Sequence, residues 1–126
     1  MIGEELRQRS HQFALAVVQL CLDLDPGALA RLVQPQLLRS GTGVATNYRA
    51  ACRARSSKEF ASRLAIVVEE ADESEFWLSV LLHQKFGPPQ RTSTLRTEAA
   101  ELRAIFSASR RTVLDRLNRR TKSPNR

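Results

Sequence analysis

Four segments of this 126-residue sequence repeat apolar or small side chains at alternating steps of four and three. The mean step lies close to the ~3.6-residue turn of an α-helix, so the repeated positions line one helix face and leave the other to polar groups. A strand would bury every second side chain, and no stretch of the chain alternates in that way. Each stripe needs an apolar partner, so a chain with four of them and no strand signal is constrained to pack helix on helix.

The first stripe, Leu6, Ser10, Phe13, Val17, Leu20 and Leu24, predicts a helix over about 3–24, ended by Asp25-Pro26-Gly27. Proline disfavours a helical residue before it, and glycine reaches turn conformations closed to other residues. The second stripe, Leu37, Gly41, Val44, Tyr48 and Ala51, is widened by Leu38, Ala45 and Cys52 and predicts a helix over about 28–54. Pro35 removes a hydrogen bond near its start, so a kink or a separate short turn is expected around 28–34.

Ser56 is placed to cap a third helix by accepting from the Glu59 N–H, with Glu59 reaching back to Ser56. Phe60, Leu64, Val67, Ala71, Ser74, Leu78 and Leu81 carry that helix to Gly87-Pro88-Pro89. Leu95, Ala99, Leu102, Phe106, Ser109, Val113 and Leu117 predict a fourth over about 92–120, and the polar remainder 121–126 reads as a disordered basic tail. Residues 1–120 thus form one domain, an all-α antiparallel up-down-up-down four-helix bundle whose helices cross at a shallow angle.

Composition narrows the class of protein. The longest apolar run, Phe13 to Val18, is far short of the roughly 18 residues a membrane-spanning helix requires. Glu4 and Glu5 precede the first apolar stretch where a secretory leader would be basic, so a cytoplasmic protein without membrane association is expected. Cys21 and Cys52 stand far apart with no CxxC or Cys/His spacing and read as buried free thiols.

The net charge of +7 is unevenly spread. Residues 36–58 hold five basic and no acidic side chains, 59–86 two basic and six acidic, and 87–126 ten basic and three acidic. Two basic segments flanking an acidic one either form a surface for phosphates, whose condensed counterions they displace, or neutralise the acidic segment.

The run Gln36-Leu37-Leu38-Arg39-Ser40, with Asn47 seven residues after the serine and then Lys58, Phe60, Leu64 and Ile66, resembles the bacterial four-helix-bundle family of 23S rRNA intervening-sequence proteins. The likeness is firm over about 36–82, while the first and last helices match in pattern and length. It implies a small bundle that assembles as a homo-oligomer, often a ring-like homopentamer. Relatives include the accessory variability determinant of diversity-generating retroelements, which is thought to bind nucleic acid and a reverse transcriptase. This chain departs from the common pattern at Glu69-Glu70, where many members carry Gly-Ser.

Several constellations invite a chemical reading. In a hairpin of the second and third helices, residues whose numbers sum to about 112 share a level, which sets Arg39 against Glu73 and predicts an ion pair between them. Glu70 and Glu73 as metal ligands or an acid–base pair are the alternative, but neither His11 nor His83 completes a Glu-x-x-His set. Gly41-Thr42-Gly43 lacks the ending and the preceding strand of a phosphate loop, and small residues at Ser40, Gly41 and Ala45 favour close helix approach. No nucleophile with a partner base appears, so no enzyme, metal or cofactor is expected.

The remaining signal is basic. Arg49, Arg53, Arg55 and Lys58 lie near the turn between the second and third helices, and Arg110, Arg111, Arg116, Arg119, Arg120 and Lys122 crowd the end of the fourth. Up-down-up-down connectivity brings both groups to one end of the bundle. Together with the family likeness this predicts sequence-independent nucleic-acid binding, structured RNA foremost, by phosphate and shape. Alternatively, the arginines complement the helix dipole on a solvated face, and the protein is an interaction scaffold or accessory subunit with a protein partner. Of the adjacent Phe76 and Trp77 one must face outward, either as a stripe for subunit contact with Phe86 or as cover for a neighbouring helix.

Overall fold

The computed structural model describes residues 3–122, which form four helices in the order α1 (Gly3–Leu22), α2 (Ala28–Cys52), α3 (Ser57–His83) and α4 (Pro89–Lys122). Their ends follow local chemistry. Ser56 Oγ accepts from the Glu59 N–H at 3.0 Å, as expected, but the Glu59 carboxylate accepts from the N–H of Arg55 at 3.0 Å and not from Ser56. The extended backbone of Ser56 turns the Arg55 amide toward the first turn of α3, so Glu59 ties down the residue before the cap.

Two boundaries differ from expectation. α2 runs unbroken through Pro35, with no separate first turn. The proline is exposed, so solvent can take the carbonyl it leaves free, and fully buried Val33 and Leu37 on either side hold the helix as one piece. α4 starts at Pro89, earlier than expected, because a first helical residue needs no N–H donor and proline already has the required φ. It reaches Lys122, so the helix takes in the first two residues of the expected tail; 123–126 lie outside the described residues.

Side-chain pairs fix the topology. Gly3 lies against Tyr48 and Gly41 against Val17, so α1 and α2 are antiparallel. Arg39 meets Glu73 while Gly43 faces Glu70, which makes α2 and α3 antiparallel; α4 opposes α3 through Arg103 and Glu75 (3.0 Å) and α1 through Arg9–Glu98 (2.7 Å) and Asp23–Arg91 (2.9 Å). Each helix packs on its sequence neighbours, and α1 closes on α4 by the thinnest of the four interfaces.

The predicted stripes are the core. Leu6, Phe13, Val17 and Leu20 of α1, Val33, Leu37, Val44 and Tyr48 of α2, Leu64, Val67, Ala71, Leu78 and Leu81 of α3, and Leu95, Ala99, Leu102 and Phe106 of α4 are all buried. Tyr48 and Phe106 meet across the diagonal with ring centroids 4.9 Å apart. Ser40 and Ser74, both fully buried, face each other between α2 and α3 with their hydroxyls 3.1 Å apart, which satisfies two polar groups inside an apolar layer.

Two glycine positions are set by close approach. A Cβ at Gly41 would come 2.6 Å from Val17 Cγ1, so α1 and α2 touch backbone to side chain there. Gly87 combines a φ of +86° with Leu24 Cδ2 at 2.7 Å from where its Cβ would sit, so only glycine fits the turn before α4. Of the two thiols expected to be buried, Cys21 is buried but Cys52, the last residue of α2, is exposed.

Candidate nucleic-acid interface

The antiparallel order brings the end of α2, the start of α3 and the end of α4 to one end of the bundle, so Arg53, Arg55 and Lys58 share that end with Arg116, Arg119 and Arg120. All six are exposed. α4 outlasts α1 here but not α3, since Arg103 lies opposite Glu75 and Ser57 is therefore level with Thr121. Arg9 lies opposite Glu98, so Gly3, six residues earlier, is level with Ala104, and the turns of α4 beyond that level extend past Gly3. This explains why Ser109, Val113 and Leu117, expected on the core stripe, are only half-buried.

Where α1 no longer covers α4, between its last turns and the start of α3, is a hollow of about 470 Å³ lined by Ser57, Val113, Arg116, Leu117, Arg119 and Arg120. Arg110 and Arg111 fall in the adjacent α3–α4 groove with Ser107 and Glu69, and the Arg110 Nε is buried without a hydrogen-bond partner. Arg49 does not join them; it faces the α1–α2 groove beside Arg7 and His11. Lys122 ends the helix, and its side chain lies outside the description. Arg63, exposed in the second turn of α3, belongs to the same end; a spacing of five from Lys58 puts the two on different sides of a helix, so periodicity carries no signal for it.

The ion pairs lie along the body of the bundle, although Arg31, Lys85 and Arg96, away from this end, also have no carboxylate within 4.0 Å among the described residues. Arg9, Arg39, Arg91 and Arg103 each bridge two helices through carboxylates, and Arg7 pairs with Glu4. Among the described residues, Arg49, Arg53, Arg55, Lys58, Arg63, Arg110, Arg111, Arg116, Arg119 and Arg120 have no carboxylate within 4.0 Å. Unpaired guanidinium groups at this density attract phosphate and neutralise little within the molecule.

The acidic run of α3 is structurally engaged. Arg39 pairs with Glu73 as expected and stands 3.7 Å from Glu70, and no group of three or more His, Cys, Asp or Glu among the described residues could hold a metal ion. Burial pushes the Glu70 carboxyl above the usual carboxylate range, against the pull of Arg39 and with the push of Glu73 and Glu69. Phe76 is the outward member of its pair, 56% exposed and edge-on to the half-buried Trp77.

These features define a class: a small antiparallel four-helix bundle, cross-braced by ion pairs along its body and densely cationic at one end. The sequence gives a more particular identity, because the profile of the 23S rRNA-intervening sequence proteins matches residues 4–108. The chain belongs to that family. It is similar to a solved protein of unknown function from the S23 ribosomal protein family of Bacteroides thetaiotaomicron, at 25% identity and a TM-score of 0.77, covering 88% of this chain and 99% of that one. A search of functionally curated proteins gave no significant match. The family match stops at residue 108, so Arg110, Arg111, Arg116, Arg119, Arg120 and Lys122 lie beyond it. No helix among the described residues is long and apolar enough to cross a membrane.

Proposed function

We propose that this protein is a non-catalytic cytoplasmic nucleic-acid-binding bundle that holds structured RNA through the cationic end, without reading its sequence. The observation that carries this reading is density: Arg53, Arg55, Lys58, Arg116, Arg119 and Arg120 share one end of the bundle, all exposed and with no carboxylate within 4.0 Å of their charged groups among the described residues. The family name, which associates these proteins with rRNA genes, points the same way. Self-association fits the body. Leu15 and Leu22 on α1, Leu32 on α2 and, across the bundle, Phe76 on α3 are each more than half exposed, and covering them with neighbouring copies on two sides would remove apolar surface from water while leaving the cationic ends displayed. A homopentamer, as the resemblance implies, would repeat that end around a ring.

The test is binding of nucleic-acid-free protein to structured RNA and duplex DNA across a salt series, with assembly mass recorded on the same samples. Affinity is expected to fall steeply and linearly in log–log form with salt, and Arg53→Glu with Arg120→Glu should abolish it with helicity unchanged. No binding at low salt would sink this reading and leave a scaffold whose apolar face takes a protein partner.

A further inference from the structure

We propose that the hollow between the end of α4 and the start of α3 receives one unpaired nucleotide of the bound strand, so that the protein prefers RNA carrying an unpaired end or bulge over fully paired duplex. This rests on the nucleic-acid reading and makes it more specific. The hollow has two chemically distinct parts. Val113 and Leu117 continue the core stripe of α4 and are half-buried, which supplies an apolar floor; Arg116, Arg119 and Arg120 stand around it, exposed and unpaired. Ser57, the first residue of α3, completes the lining where helical N–H groups have no intrahelical acceptor.

A flat apolar face next to an anion is the chemistry of a nucleotide. Its base can lie on the Val113–Leu117 floor and against a guanidinium plane, and its phosphate can accept from arginine and from the start of α3. A volume of about 470 Å³ falls at the small-molecule end of binding sites and cannot admit the paired, stacked bases of a duplex. No acidic side chain lines it, whereas the neighbouring α3–α4 groove includes Glu69. An acidic amphipathic helix from a partner protein would also match the charge, but it would have to run on into the adjacent α3–α4 groove, past the carboxylate of Glu69. Five of its six residues lie beyond the family match.

The test compares two fluorescent RNAs by anisotropy at one salt concentration: a blunt duplex, and the same duplex extended by a short unpaired 3′ overhang. The wild type is expected to bind the overhang form about tenfold more tightly, a difference of about 1.4 kcal/mol. Val113→Trp, which fills the floor, should erase that preference and leave blunt-duplex affinity unchanged; Arg120→Gln, a surface change that cannot disturb the core, should reduce the preference if the tryptophan variant folds poorly. Arg53→Gln, outside the hollow, should weaken both RNAs equally. Equal wild-type affinity for the two RNAs overturns the proposal while the broader reading stands. Binding of neither RNA removes both, and capture of an acidic amphipathic peptide instead, lost in Val113→Trp, would assign the hollow to a protein helix.

Discussion

Gly43 and Glu70 occupy one space: a Cβ on residue 43 would lie 2.5 Å from the Glu70 Oε2. The missing side chain on α2 is what allows the carboxylate of α3 to lie in the interface, where that oxygen is buried with no hydrogen-bond partner. Arg39, 3.7 Å away, attracts Glu70 without displacing the burial cost, so the carboxyl titrates above its ordinary range. A folded-state pKa raised above the unfolded value means that the folded protein holds the proton more tightly. Glu70 therefore contributes most stability below its unfolded pKa and loses it as pH rises through the folded pKa. Glu70→Gln should raise the melting temperature at neutral pH, and its advantage over wild type should shrink as the pH is lowered toward 4; an advantage that does not change with pH would refute this account.

Gly41 makes the other close approach, with Val17 Cγ1 2.6 Å from the position of an added Cβ. Val17 is fully buried and β-branched, so it cannot rotate away cheaply. Gly41→Ala gains about 1 kcal/mol of helix propensity but should still destabilise, because overpacking a tight core costs about 1–3 kcal/mol. Adding Val17→Ala to that variant opens the space, so a chemical-denaturation cycle should show the two changes strongly non-additive.

The thiols should react at different rates. Cys52 is exposed, whereas Cys21 is buried and its thiol is pushed up to about 11 by desolvation, which leaves almost no thiolate at neutral pH. A thiol-specific chromogenic reagent should titrate one cysteine quickly in the native protein and the second only in denaturant. Cys52→Ser should remove the fast phase and leave the slow one.

The core was legible in the sequence because a helix converts spacing directly into a face. Leu6, Phe13, Val17 and Leu20, and likewise Leu64, Val67, Ala71 and Leu78, are buried where the four–three repeat put them. The repeat says which side of a helix is apolar but not whether a neighbour is present to cover it. Val113 and Leu117 continue the α4 stripe faultlessly and are half-exposed, because α1 begins level with Ala104. The hollow lies where α1 leaves α4 uncovered, so a length difference between elements hid a concave feature of the cationic end. Cys52 shows the same limit, since its place on the α2 stripe did not reveal that the helix stops there. The Arg39–Glu73 pair was legible because a hairpin register follows from one turn position; the orphaned oxygen of Glu70 depends on side-chain rotamers, which spacing does not encode.

The turns of α4 beyond the reach of α1 should separate folding from binding. The buried residues of this helix end at Phe106 and the family match ends at 108, so the last turns contribute little to the core. A chain ending after Thr112 retains every fully buried side chain and all the ion pairs between helices, and loses Val113 and Leu117, which are half-buried, together with Arg116, Arg119 and Arg120. It should remain helical and cooperative in thermal melts, with a melting temperature only slightly reduced. Its RNA affinity should fall, and each lost phosphate contact should flatten the log–log salt dependence by about 0.9. If the shortened protein keeps the wild-type salt slope, the arginines beyond residue 112 make no phosphate contact, and binding must come from Arg53, Arg55, Lys58 and Arg63 at the opposite lip of the same end.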